Sequence, residues 1–457
     1  MSDTIAQPQH TADGDNIFGG LISAQGLDLN QLTPHQTHVQ AWTTATGAGV
    51  KFVEARGLPI VDVVLRFKAG TSQAPLQSGL AALTLHMLDE GSQLYTAAQQ
   101  AERMERLGAI MDKQVRLEHA TLSLRSLSSK ALLDPALALF IDLAARPAFP
   151  ALALETVKRQ LLQSNASRER RPDIRARSEV FRHLFKGHPY GNPWGSTAEG
   201  MATVTPEDLR AFHQRAYSAS NLEMVLVGDL SLADAQDITQ QISQALPQGW
   251  SAVKLPAVPA AASATVNIEQ DGASSALVLA VPMNVPANDP EYPALVLASE
   301  VLGADLESRL MVEMRQRRGL TYGIYSRVSP MSAGGLLTIS WEIAPAYVQG
   351  SQALVEELLR DFIDQGPTQA ELDLARNRLA GQQLRGIAQN KSLAALLAQI
   401  THQNQPADYL NTYIERIGRL TPADLRAVMQ RRLDLDQKVL VSVGPQAEQQ
   451  ALPALYQ

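Results

Sequence analysis

Residues 205–229 read TPEDLRAFHQRAYSASNLEMVLVGD, and residues 421–445 read TPADLRAVMQRRLDLDQKVLVSVGP. Aligned without a gap, about 11 of the 25 positions are identical, among them Thr205/Thr421, Pro206/Pro422, Leu209/Leu425, Arg210/Arg426 and Gly228/Gly444. Self-similarity of this kind marks a duplicated unit and is weighed before local structure. Each copy has the same internal logic: a threonine N-cap, proline at the first helical position, an acid (Asp208 or Asp424) in the first turn, then a β-branched run. A chance match of two helix starts explains Thr-Pro-x-Asp, but not the V-x-V-G run at the same offset. The chain therefore reads as two copies of one domain, each closing on a helix and then a strand.

Outward from these segments, residues 251–265 (SAVKLPAVPAAASAT) are rich in Ala and Pro with one charge, which predicts an extended linker between the copies. The expected layout is a polar N-terminal extension over 1–40, a first domain over 41–250, the linker, and a second domain over 266–457. Periodicity predicts strands at Gly49 to Glu54, Ile60 to Phe67 and Ala120 to Leu127. It places helices at Leu80 to Leu88, near Ala97 to Leu107, at 131–145 and through 151–185. The second copy repeats the pattern. Strands fall at Ala276 to Val281 and Gly334 to Glu342, and helices at Tyr292 to Leu302, Ser308 to Arg317, 347–365 and 368–388. The fold class is α+β: two homologous α/β-layer domains, each an antiparallel-rich sheet packed with helices.

Composition narrows the function classes. Hydrophobic residues make up 45% and charged residues 19% of 457 residues, which suits a folded chain with more than one core. The formal charge of −7 offers no basic field for a nucleic-acid backbone. No window approaches the roughly 18 apolar residues of a membrane span. The absence of cysteine excludes thiolate nucleophiles, disulfides and thiolate-bound zinc. Residues 1–40 lack the cationic start and apolar run of a secretory leader, so the expected location is cytoplasmic, or periplasmic if a leader was removed.

The segment GLAALTLHMLDEGS, residues 79–92, resembles the helix that carries the H-x-x-E-H zinc motif in the pitrilysin/insulinase peptidases. The likeness extends to the Ala-Gly ending the strand before it (Phe67 to Gly70), to Glu105-Arg106-Leu107-Gly108-Ala109, to His188-Pro189-Tyr190-Gly191 and to the Thr-Pro-x-Asp-Leu ending of the first copy. It spans roughly residues 40–450. Zinc chemistry in that motif asks for two histidines one helical turn apart, a glutamate between them to activate water, and a distant glutamate as third ligand. The matching positions here are Ala82, Leu85, His86 and Gln163. Alanine and leucine offer no lone pair, and an amide is a poor substitute for a carboxylate. His86 then reads as a packed helix histidine or as a residual contact with peptide or partner. His183 and His188 read as structural, and so does Glu118-His119, because Val115 stands where the first ligand would be needed. P-loop and G-x-S-x-G signals are missing.

In the second copy, Glu313 to Gly323 (EMRQRRGLTYG) resembles the family's other signature, an arginine followed seven residues later by a tyrosine; Arg315 and Tyr322 fit it. On the residues alone, the stretch is also an amphipathic helix with a basic face, C-capped by Gly319, leading to a strand from Thr321. The resemblance implies one half of a clam-shell chamber, with the Arg/Tyr pair reaching a substrate whose zinc belongs to another chain. It thereby implies no cofactor on this chain, a zinc-bearing homologous partner in a heterodimer, and a peptide substrate. A purely structural or peptide-binding subunit is the competing expectation.

Overall fold

The computed structural model describes residues 36–406 and 408–455. All but the end of the expected 1–40 extension, and residues 456–457 of the second domain, lie outside the described residues. Eleven strands form two sheets among the described residues. The first contains β1 (Gln40–Thr43), β2 (Gly49–Glu54), β3 (Ile60–Phe67), β4 (Ile110–Val115), β5 (Ala120–Leu127) and β6 (Leu222–Gly228), in the order β1-β2-β6-β3-β5-β4. The second contains β7 (Ala264–Glu269), β8 (Ser275–Met283), β9 (Ile324–Ser329), β10 (Gly335–Ile343) and β11 (Val439–Gly444), in the order β7-β11-β8-β10-β9.

The duplication is visible in the pairing. β6 runs parallel to β2 and antiparallel to β3, and β11 runs parallel to β7 and antiparallel to β8. The two quoted segments end in these matching strands. Each opens with a reciprocal cap: Asp208 N donates to Thr205 Oγ1 (3.2 Å) while Thr205 N donates to Asp208 Oδ2 (2.9 Å). Thr421 and Asp424 repeat the arrangement at 3.2 and 2.8 Å. Such boxes satisfy two orphan donors at once and contribute about 1 kcal/mol each. At the strand ends, a Cβ on Gly228 would fall 2.2 Å from Ile60 O, and one on Gly444 would fall 2.2 Å from Ser275 Oγ. Glycine is required at both places by close approach.

β6 is buried along its whole length, and β8 and β11 nearly so, so both faces of each sheet need apolar cover. One face is covered locally: Phe52, Leu65, Phe67, Leu122 and Leu226 pack with Leu83 and Phe140 in the first half. The other face is covered by exchange. Ala176, Val180 and Leu184, from helix Pro172–Leu184 of the first half, pack on Val278, Ala280, Val439 and Val441 of the second sheet. In return Leu393, Ala394, Leu397 and Ile400, from helix Asn390–His402, pack on Val53, Val64, Val225 and Val227 of the first.

Where expectation and structure differ, the causes are local. The helix expected through 151–185 is two helices, Ala151–Glu169 and Pro172–Leu184, because Pro172 has no N–H to continue the first and is suited to open the second. Residues 251–263 have no regular structure, but Ala264 already belongs to β7, so the expected linker to 265 overruns its start. The segment is also tethered: Ala252 N donates to Asn221 Oδ1 (3.0 Å), and Gln73 Nε2 donates to Val253 O (3.2 Å). Strands β1, β4 and β7 and helices Asn390–His402 and Tyr409–Gly418 were outside the sequence expectation.

A buried polar junction locks the exchange. His402, the last residue of its helix, has Nε2 3.7 Å from Glu118 Oε2 and Nδ1 3.6 Å from Glu223 Oε2. Glu118 also accepts from Tyr190 Oη (2.5 Å), from Ser332 N (2.9 Å) and from the Ser332 hydroxyl. Arg66 Nη1 donates to Ala398 O (2.7 Å) in the same crossing helix. Burial works against a charged His402, but Glu118 and Glu223 on either side outweigh it and carry its pKa up to about 8. The edge-on neighbour His119 is held neutral, first by burial and then by Arg66 and His402.

Because the folded value for His402 lies above the 6.5 of an unperturbed histidine, its stabilisation is complete below that pH and is lost as pH rises through about 8. We expect unfolding free energy from urea titrations to fall by about 2 kcal/mol between about pH 6.5 and 9. His402→Gln should flatten that limb; a wild-type profile level over the range would show that His402 carries no proton there.

Candidate functional site

Helix Leu80–His86 enters from Gly79, which has φ +98°, and it packs between the first sheet and helix Ala151–Glu169. Two of the four positions that would serve zinc face inward. Ala82 is 4% exposed, and Leu85 is fully buried within the apolar core of the first half. His86 is partly buried. Lys113 of β4 donates to the His86 carbonyl (2.9 Å) and pairs with Asp89, which places a cation at the helix C-terminus. Burial, then Lys113 and to a smaller extent Arg168, hold the imidazole below its ordinary pKa against the pull of Asp89. Gln163 is exposed on helix Ala151–Glu169, in a shallow groove with Gln160, Ser164, Ser167, Arg168, Arg171 and Ile174.

The two helices are in contact, and the four positions on them supply one imidazole, one amide and two hydrocarbon side chains. Zinc needs three protein donors at about 2 Å and a water. The residues present do not fit it. Among the described residues no group of three or more His, Asp or Glu side chains converges as a metal centre would require. The other sequence candidates are engaged elsewhere. His188 Nδ1 accepts from Tyr190 N (3.2 Å), capping the turn Pro189–Gly191, and His183 Nδ1 lies 3.0 Å from Glu179 O. Glu118 and His119 belong to the junction between the halves, a role that no local motif signalled.

Arg315 and Tyr322 lie in the second half and are held together. Residues expected as one helix, Ser308 to Arg317, form a short α-turn, Arg309–Met311, followed by a π-turn, Val312–Gln316. Arg317 N donates to Val312 O (2.9 Å), five residues back. Such widened turns recur at functional sites, where they re-aim a side chain. Gly319, at φ +60°, closes the turn with its N–H on Arg315 O (3.0 Å). Thr321, buried, donates its hydroxyl to Glu342 O (2.6 Å) and so pins the following loop to β10. The strand expected from Thr321 begins at Ile324, because the pinned loop runs first.

With the loop fixed, Tyr322 projects outward at 86% exposure. The Arg315 guanidinium lies 4.5 Å from its ring centroid and donates to its carbonyl (2.9 Å). Glu313 takes Arg317 (2.7 Å) and Arg318 (2.9 Å), and no carboxylate among the described residues pairs with Arg315. The outcome is an uncompensated cation stacked on a solvent-facing phenol, two donors suited to an oxygen that carries or gains negative charge. Beside helix Leu80–His86, β4 is the outer strand of its sheet, with side chains alternating between exposed and half-covered.

Comparison with known proteins places these features in a family. The family description "Insulinase (Peptidase family M16)" matches residues 53–198, and "Peptidase M16 inactive domain" matches residues 203–379. The chain is similar to the crystal structure of a peptidase M16 inactive domain from Pseudomonas fluorescens, with 36% identity and TM-score 0.88, covering 91% of this chain and 100% of that one. It is 28% identical to the non-peptidase homologue YmxG of Helicobacter pylori over 78% of this chain and 81% of that protein. Its fold also matches the periplasmic protease PqqL of Escherichia coli, with TM-score 0.75 and 14% identity, covering 91% of this chain but 46% of that one. Among the described residues no helix is long and apolar enough to cross a membrane.

Since Leu85 now serves the core, Leu85→Glu should destabilise the protein by about 3 kcal/mol rather than restore a catalytic group. Urea unfolding measures this, and a loss within about 0.5 kcal/mol would mean the position is open to solvent.

Proposed function

The chain belongs to the insulinase family of peptidases, family M16, and from that membership we propose that it is the non-catalytic subunit of a heterodimeric zinc peptidase. The partner, a zinc-bearing homologue of similar size, supplies the metal and the base that activates water. This chain supplies Arg315, Tyr322 and half of the chamber wall. The single observation that carries the reading is the contrast between the two signatures. Two of the positions that would serve zinc have become buried hydrocarbon, while the Arg/Tyr pair is stacked, anchored and presented to solvent with its charge uncompensated.

A tyrosine left 86% exposed with an arginine over it contributes little to this chain's own core. It is explained by a substrate arriving from outside. The guanidinium and phenol would donate to a scissile carbonyl whose oxygen gains charge during attack, an interaction of greatest value in a cleft closed to water. That this chain covers only about half of the similar double-length protease supports a shell completed by a second chain. β4 is the favoured edge for a peptide to join as an added strand. Its outer backbone groups are free of a strand partner among the described residues, and backbone pairing tolerates many sequences. The compartment stays the one expected from sequence, cytoplasmic, with the periplasm as the alternative.

The test is turnover of the reconstituted pair. Arg315→Ala and Tyr322→Phe should each lower kcat by about 10²–10³-fold, the usual loss for one oxyanion donor, with co-purification of the subunits unchanged. Unchanged turnover in both variants would leave a scaffold or peptide-holding subunit.

A further inference from the structure

Between Arg168 and Lys186 the chain carries seven cations and three acids, a local excess of +4 in a protein of net charge −7. The segment runs from the last turn of helix Ala151–Glu169, through Arg170 and Arg171, into helix Pro172–Leu184. The apolar side of the second helix is fixed on the second sheet, so Arg177, Arg182 and Lys186 are turned outward. Some of the charge is neutralised: Arg182 pairs with Glu169 and Glu179 (2.9 Å each), and Arg171 with Asp173 (2.9 Å). Arg168, Arg170, Arg177 and Lys186 pair with no carboxylate among the described residues.

Arg168 is held in place without being neutralised. Its guanidinium lies 5.4 Å from the Trp194 ring centroid, and Trp194 is itself anchored by Nε1 donating to Glu169 Oε1 (2.6 Å). It borders the groove formed with Gln160, Gln163, Ser164, Ser167, Arg171 and Ile174, where the nearest carboxylate, Asp173, is taken up by Arg171. Gln163, which stands where a metal would take a carboxylate, lines this groove, which offers guanidinium, amide and hydroxyl groups. Amides and hydroxyls along a groove match a peptide backbone, and the two arginines match carboxylates.

We infer that this groove binds an acidic segment of a peptide, with a carboxylate on Arg168, a second on Arg171 in exchange for Asp173, and its backbone on Gln160, Gln163, Ser164 and Ser167. The inference rests on the reading that the chain holds peptide, and it names the substrate class: chains with clustered Asp or Glu near the bound stretch.

The experiment uses the full chain without its partner, so its outcome is separate from the turnover measured for Arg315 and Tyr322. Fluorescence anisotropy compares a labelled peptide carrying a run of glutamates with its glutamine counterpart at several salt concentrations. The acidic peptide should bind at least about tenfold more tightly at 0.01 M salt, where the Debye length is about 30 Å, and lose most of that advantage at 0.15 M, where it is about 8 Å. Arg168→Glu with Arg171→Glu should abolish the preference. Arg106→Glu with Arg419→Glu, an equal charge change at two other exposed positions, should keep it. Circular dichroism checks folding, and Arg168→Gln with Arg171→Gln replaces the reversal if it does not fold. The idea is overturned if the two peptides bind alike, if the groove variants keep the preference, if the control variant loses it, or if phosphatidylglycerol vesicles bind in place of the acidic peptide.

Discussion

The structure depends on the need of two sheets for cover on both faces. Strands such as β6, buried at every residue, cannot leave one side to water, and a single half of this chain provides a helical layer for only one side of its own sheet. The missing layers come by exchange, with helix Pro172–Leu184 crossing to the second sheet and helix Asn390–His402 crossing to the first. Fully burying a Val, Leu or Ile contributes about 1.5–3 kcal/mol, and each crossing helix buries several such side chains. The polar junction of Glu118, His402, Glu223 and Arg66 sits where the crossing helix meets the first sheet. Charged groups can be kept there because each faces an opposite charge or a backbone carbonyl.

On this frame, loss of metal ligands has a mild structural cost. Helix Leu80–His86 still has to pack against the sheet, and alanine and leucine do that better than groups needing water or an ion. The opposite holds for Arg315 and Tyr322. Nothing in the interior requires them, yet a π-turn, a glycine at positive φ and the Thr321 anchor all act to fix their position. A widened turn and a side-chain anchor of this kind set the direction of the residues they hold.

Much of the fold could be read from the sequence because its signals are local. Thr205-Pro206 and Thr421-Pro422 announce helix starts through cap chemistry that needs no tertiary partner, and β3 and β5 were legible from apolar runs and alternation. The edge strand β4 was missed, since Ile110 to Val115 alternates only between exposed and half-covered positions and carries Asp112 and Lys113. Of the candidate site, the Arg315/Tyr322 spacing and the eroded positions Ala82, Leu85 and Gln163 stood out as motif positions. Their stacking and their inward or outward facing did not, because these follow from the π-turn and from helix packing. The Glu118–His402 contact was beyond reach: its members lie in separate elements and are joined only by the exchange of helices.

That exchange bears on motion as well as on stability. Two lobes joined by a single free tether can swing on it, but these are laced together twice, and residues 251–263 are themselves stitched to Asn221 and Gln73. Bending there would mean peeling an apolar helix off a sheet. The two halves are thus stiff against each other, and neither can turn on the other without breaking apolar contacts at both crossings.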